Sequence, residues 1–164
     1  MITEITGDLL DVAAEGRVDV IVHQANLMHT FGAGIARAIL TRFPYAFEAD
    51  RRTGRGDKNK LGHFSIGVPD DNKLPVVVNL YSQTSLYPSH TSYDNIFEGL
   101  TELCATLEPI TSVTRIGFPF QMGCGLADGN WRIVRTIIEE VFRDSRFEIV
   151  IVQLPEKQSD PLST

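Results

Sequence analysis

The sequence is poor in the residues that hold small secreted or metal-dependent domains together. Only two cysteines, Cys104 and Cys124, occur among 164 residues. Two cysteines are too few for a disulfide framework, and their spacing does not match a metal site. We therefore expect a protein of the reducing cytoplasm that binds no metal and needs no other cofactor.

Long apolar runs and an excess of basic residues are also missing. The longest apolar stretches, 75–80 and 147–154, are too short for a membrane span, and the N-terminus lacks the order of a secretion signal. The net charge of −6 argues against an extended groove for nucleic acid. We therefore expect no membrane contact and, without an apolar surplus, a monomer. Five basic residues lie between Arg51 and Lys60, where a solvated loop is the simpler interpretation.

Short β-branched runs alternate with longer segments of helical period, which is the pattern of an α/β sandwich. The pattern predicts strands at 2–6, 18–23, 63–68, 76–81, 113–118 and 147–154. It predicts helices from Gly34 to just before Pro44, within 44–54, from Tyr93 to Leu107 and from Trp131 to Phe142. We expect one domain over 1–154 and a flexible tail at 155–164.

The first informative segment, HQANLMHTFGAGIARAIL, joins a predicted strand to a predicted helix. Gly32 and Gly34 would let a ligand approach the backbone, and the amides of the following helix would face an anion. A tight turn without a ligand is the alternative. His23 is either a buried core histidine or a catalyst, and Asn26 either closes the turn or contacts a ligand.

The second informative segment, FPFQMGCGLADGNW, also leads from a strand into a helix. Asp128 either caps that helix or faces a ligand. Cys124 is either a nucleophile activated by helix amides or simply a small residue in a tight loop. Asp8, which follows the first strand, either caps a turn or accepts a hydrogen bond from a ligand amino group. Because ligands bind at the carboxyl ends of strands in open α/β sheets, the two loops favour one shared cleft.

Taken together, GDLL, VIVHQAN, FGAGIA, FPFQMGCGL and EEVF resemble the macrodomain family of ADP-ribose-binding modules over nearly the whole chain. The short GAGIA loop and HTSYDNIFEGL resemble the branch with terminal ADP-ribose protein glycohydrolases, DNA ADP-ribosyl glycohydrolase antitoxins and ADP-ribose 1''-phosphate phosphatases. The resemblance implies an α/β fold, a three-layer α/β/α sandwich around a mixed sheet of about six strands.

The resemblance also implies a set of ligand contacts. Asp8 and Leu9 would hold the adenine, and Ala25 and Asn26 would lie near the distal ribose. The diphosphate and distal ribose would be wrapped from two sides by Phe31, Gly32, Ala33, Gly34 and Ile35, and by Gly123, Cys124, Gly125 and Leu126.

Two departures from the family bear on catalysis. Leu40 falls where the resemblance places a nucleophilic lysine, and Asp128 stands one residue after the position of the family's aspartate, which is Ala127 here. His23 matches a histidine of the phosphatase-like members. We therefore expect a hydrolase acting at the distal ribose, with Asp128 and His23 as catalytic residues. A non-catalytic ADP-ribose-binding module and an unrelated nucleotide-binding domain are the alternatives.

Overall fold

The computed structural model describes residues 1–86 and 89–156. Within these residues the chain forms strands β1 (Ile2–Thr6), β2 (Val20–Ala25), β3 (Phe64–Gly67), β4 (Val76–Tyr81), β5 (Gln83–Leu86), β6 (Ser89–Thr91), β7 (Arg115–Pro119) and β8 (Glu148–Gln153). Its α-helices are α1 (Leu9–Ala14), α2 (Gly34–Arg42), α3 (Pro44–Arg51), α4 (Tyr93–Leu107) and α5 (Trp131–Phe142), and Lys58–Lys60 form a short 3₁₀ helix.

The described residues form one six-stranded sheet in the order β1-β8-β7-β2-β4-β3. All neighbours pair in parallel except β3, which runs antiparallel to β4. The sheet is therefore mixed, as the resemblance implies. Parallel strands bring their carboxyl ends to one edge, and this edge carries the loops that follow β1, β2, β4, β7 and β8.

Side-chain alternation along β2 explains why helices cover both faces of the sheet. Val20 and Val22 pack in the cluster formed with α4 and α5, whereas Ile21 packs in the cluster formed with α1, α2 and α3. Successive strand residues point to opposite faces, so a nearly continuous apolar strand needs a helical layer on each side. The three-layer α/β/α prediction is confirmed.

The structure corrects the bounds of the second strand and adds a short helix and a pair of strands. The second strand runs to Ala25 instead of ending at His23, and α2 ends at Arg42, before Pro44 as predicted. Helix α1 was not predicted, because its six residues are too few to show a period. The β5–β6 pair was not predicted either, since this segment has no clear alternation. The predicted tail falls largely on residues 157–164, outside the described residues.

Candidate functional site

A cavity of about 1320 Å³ opens along the edge where the parallel strands end. It extends from the ends of β1 and β8, where Asp8 and Leu154 line it, to the β5–β6 pair, where Gln83 and His90 line it. The loops after β2 and β7 run between these two ends. Because the strand order places β1 and β8 far from β4, the cleft is long and its two ends carry different residues.

Three glycines in the middle of the cavity have no packing reason to be glycine. A Cβ built on Gly32, Gly34 or Gly125 would meet nothing within 4 Å among the described atoms, and all three line the cavity. Gly34 additionally adopts φ +56, which favours glycine. Their bare backbone leaves room for a ligand to approach closely.

The first turn of α2 offers backbone amides to this space. Its N-cap residue, Ala33, makes no side-chain hydrogen bond to the helix, and Gly34, Ile35 and Ala36 line the cavity. In contrast, Asn130 caps α5 by accepting a hydrogen bond from the amide of Arg132. An uncapped helix N-terminus binds an anion through its free N–H groups and its dipole.

The loop after β7 is held in shape by a chain of polar contacts. Gln24 Nε2 donates to Thr91 Oγ1 at 3.1 Å, and Thr91 Oγ1 donates to the carbonyl of Gly123 at 2.5 Å. Gly123 adopts φ +74, and a Cβ on Gly129 would lie 2.5 Å from the Gly123 oxygen. These two glycines are therefore required by packing, unlike Gly125.

Asp8 marks one end of the cavity and also caps α1. Its Oδ1 accepts hydrogen bonds from the amides of Leu10 at 2.8 Å and Asp11 at 3.3 Å. Both bonds use the same oxygen, which leaves Oδ2 outside the cap. Asp8 can therefore cap the helix through Oδ1 and accept a hydrogen bond from a ligand amino group through Oδ2.

The other end of the cavity collects polar side chains. Asn26, Gln83, His90 and Asp128 all line it. Asp128 adopts φ +57, and Asn130 caps α5 instead, so the capping interpretation of Asp128 is wrong. Asn26 closes the turn as well: its Nδ2 donates to Thr30 Oγ1 at 2.8 Å, and its Oδ1 accepts from the Met28 amide.

A backbone hydrogen bond joins the segments that carry His90 and Asp128. The amide of Thr91 donates to the carbonyl of Ala127 at 2.8 Å. His90 precedes this donor and Asp128 follows this acceptor in the chain, and both are exposed. The bond therefore fixes two titratable side chains to neighbouring parts of the same cavity wall.

His23 does not belong to this group. It is fully buried, its Nε2 lies 2.7 Å from Asn79 Oδ1, and its ring packs edge-on against Phe31, a residue that lines the cavity. Burial lowers the pKa of His23 to about 4, so it is neutral at pH 7. The structure corrects the expectation that His23 reaches the ligand, since its side chain points to the layer of α1, α2 and α3.

Cys124 and Leu40 also lie outside the cavity lining. The Cys124 thiol donates to the carbonyl of Met122, and burial raises the thiol pKa, which argues against an activated nucleophile. Leu40 packs against the core beneath α1, α2 and α3. The other predicted ligand contacts, including Leu9, Ala25, Phe31 and Leu126, line it.

The sequence did not reveal several cavity residues. Gln24 lies on β2, two residues before Asn26, and Gln83 lies on the unpredicted strand β5. Phe120 follows β7 and contacts Trp131 with ring centroids 5.3 Å apart. The unpredicted β5–β6 pair therefore explains why Gln83 was not identified at that end of the cavity.

The charges in the cavity are few. Among its described lining residues, Asp8 and Asp128 are the carboxylates, and none is lysine or arginine. No group of three or more potential metal ligands occurs in the part of the chain that is described. None of the described helices is long and apolar enough to cross a membrane.

Sequence comparison finds a relative in a bacteriophage. The chain is 33% identical over 150 residues to the uncharacterized 17.5 kDa protein in the tk-vs intergenic region of Enterobacteria phage T4, covering 90% of this chain and 93% of the phage protein. No protein-family model matches the chain.

Solved structures share the fold over almost the whole chain. The macrodomain of Mycobacterium tuberculosis DarG superposes with a TM-score of 0.79 at 20% identity, covering 94% of this chain and 98% of that one. A Bacteroides thetaiotaomicron protein of unknown function gives 0.77 at 25% identity over 94% and 98%. Thermosipho africanus DarTG, solved with ADP-ribose, gives 0.71 at 16% identity, covering 98% of this chain and 43% of DarTG.

Proposed function

Since this chain is a macrodomain and belongs to one family with the phage T4 17.5 kDa protein, we propose that it binds ADP-ribose and hydrolyses a bond at the distal ribose. The observation that carries this proposal is the order of groups along the cavity. A carboxylate lies at one end, bare backbone amides lie in the middle, and His90 and Asp128 lie at the other end.

The order of groups matches the order of chemical groups in ADP-ribose. The adenine amino group donates to the free oxygen of Asp8, and the diphosphate lies against the amides of α2 and of the loop around Gly125. Backbone dipoles stabilise an anion without a cationic side chain, which suits a chain of net charge −6. The distal ribose then lies beside Asn26, Asp128 and His90.

The proposed reaction adds water across the bond between the distal ribose and its substituent. Asp128 accepts a proton from the attacking water, and His90 gives a proton to the leaving group, whether phosphate or an ADP-ribosyl acceptor. ADP-ribose and the protonated leaving group are the products. His90 takes the role that the sequence suggested for His23, because His90 is exposed in the cavity and His23 is buried outside it.

The test separates binding from turnover in Asp128→Asn. We expect calorimetry to give an ADP-ribose affinity within a few fold of the unchanged protein, while turnover falls about 100-fold or more. His90→Gln should also lower turnover while ADP-ribose affinity stays within a few fold. Asp70→Asn, an exposed aspartate outside the cavity lining, is the matched control.

Substrates should include ADP-ribose 1''-phosphate, ADP-ribosylated protein and ADP-ribosylated DNA. Full turnover by Asp128→Asn would refute the mechanism. Tight ADP-ribose binding without any product from the unchanged protein would leave binding alone as the function. A preference for ATP or NAD over ADP-ribose in thermal-shift measurements would refute both parts of the proposal.

A further inference from the structure

The loop between β2 and α2 has two sides with different partners. Asn26, Thr30 and Phe31 line the cavity, whereas Leu27, Met28 and His29 do not. These three contact residues 53–60 instead. The Gly56 amide donates to the Leu27 carbonyl at 2.7 Å, and the His29 Nε2 lies 3.2 Å from Thr53 Oγ1. Residues 53–60 thus support the loop from the side opposite the ligand.

Lys60 is at the centre of this support and differs from the other basic residues of its segment. Arg51, Arg52, Arg55 and Lys58 are exposed, but only 8% of Lys60 is accessible. Its Nζ donates to Thr53 Oγ1 at 2.8 Å and to the Leu27 carbonyl at 3.4 Å, and lies 4.5 Å from the centre of the Tyr81 ring.

The groups around Lys60 form a connected network with Asp50. Thr53 Oγ1 donates to the Asp50 carbonyl at 2.6 Å, so it accepts the hydrogen bond from Lys60. The Tyr81 hydroxyl donates to Asp50 Oδ1 at 2.6 Å, and Asp50 is fully buried. Burial lowers the pKa of Lys60, while the nearby Asp50 and Asp57 carboxylates oppose this change.

Asp50 gives Lys60 one role in stability, because a buried carboxylate that loses its nearby cation is left with an uncompensated charge. Asp50 does not explain, however, why the Lys60 amine also lies 3.4 Å from the Leu27 carbonyl. What an apolar side chain cannot supply is a donor to the Leu27 carbonyl, one residue after Asn26.

We propose that Lys60 is a positioning residue: it fixes the Leu27 carbonyl and thereby holds Asn26, Thr30 and Phe31 in the geometry that receives the distal ribose. The effect on affinity rests on the proposed ADP-ribose function, whereas the effect on the loop does not. Lys60 itself touches no ligand.

The test uses Lys60→Met, with Lys58→Met as the matched control because Lys58 is an exposed lysine in the same 3₁₀ helix. Hydrogen exchange of the Gly56 and Met28 amides is measured without ligand. We expect a lower melting temperature in Lys60→Met, because the buried Asp50 loses its nearby cation. Exchange at the Gly56 and Met28 amides should accelerate tenfold or more, and by a larger factor than at the amides of β2 and β4. ADP-ribose affinity should fall about tenfold. Lys60→Arg should restore both within about threefold, and Lys58→Met should change neither.

Thr53→Val provides a second variant if Lys60→Met does not fold. It removes the hydroxyl between Lys60 and Asp50 and should accelerate the same amides by a smaller factor. Unchanged exchange at Gly56 and Met28 in Lys60→Met would overturn the proposal, as would a loss of protection spread evenly over the whole chain. If exchange accelerates in Lys60→Met but the unchanged protein binds no ADP-ribose, the contact between Lys60 and the loop is supported. Only the proposed function is then contradicted.

Discussion

Gly123→Ala should destabilise the protein by an amount that the local geometry sets. A Cβ at position 123 would lie 2.9 Å from Thr91 Oγ1 and 3.0 Å from Gln24 Nε2. Alanine at φ +74 costs about 1 to 2 kcal/mol in backbone strain. Displacing Thr91 weakens two hydrogen bonds, at roughly 0.5 to 1.5 kcal/mol each. The expected loss is about 3 kcal/mol.

Gly125→Ala is the control that separates stability from binding. A Cβ at position 125 would meet nothing within 4 Å, so the free energy of unfolding should change by less than about 0.5 kcal/mol. The same Cβ would enter the cavity, however, and should weaken ADP-ribose binding. Gly123→Ala should therefore lower the melting temperature by about 6 to 12 °C, and Gly125→Ala should lower affinity instead.

Urea unfolding gives the free energy of each variant, and calorimetry gives the ADP-ribose affinity. Equal destabilisation by the two variants would refute the distinction between a glycine required by packing and one required by the ligand. Retained affinity in Gly125→Ala would refute the close approach of the diphosphate to this loop.

Three further predictions concern pH, salt and the Thr91 contact. Because burial lowers the pKa of His23 to about 4 from an unfolded value of 6.5, the neutral form stabilises the fold above pH 6.5. About 3 kcal/mol of stability should be lost as pH falls from 6.5 to 4; urea unfolding should show this loss, and His23→Gln should lack it. ADP-ribose affinity should change less than about threefold between 50 and 500 mM NaCl, because no lysine or arginine is among the described cavity residues. A tenfold loss of affinity in calorimetry would instead reveal a cationic side chain in contact with the diphosphate. Thr91→Val should cost about 2 kcal/mol in urea unfolding, because Gly123 and Gln24 lose a partner, whereas the exposed Thr106→Val should cost less than about 0.5 kcal/mol.

The histidines illustrate where sequence reasoning about the site failed. His23 stands at the end of a strand and before a glycine-rich loop, a position that favours a catalytic role. The direction of its side chain depends on alternation along β2, which sends it toward the helix layer and against Phe31. His90 stands in a segment without a clear strand pattern, and its place in the cavity depends on a hairpin whose register is set by contacts with Ser82 and Ala127.

The basic segment was also only partly predictable. A run of five basic residues indicates a solvated loop on average, and four of the five are exposed. Lys60 is the exception because Thr53, Tyr81 and the Leu27 carbonyl surround its amine. These partners are separated from it by up to 33 residues, and no local pattern identifies them.

The sequence by itself determined the sandwich, its six main strands and the two loops that meet at one edge. These features depend on local apolar period and on glycines at strand-to-helix junctions, both of which can be counted along the chain. Only the tertiary structure decided which side chains enter the cavity. That outcome depends on the face of the strand that each side chain occupies, on burial, and on hydrogen bonds between distant segments such as Thr91 and Gly123. These contacts exist only once the chain has folded.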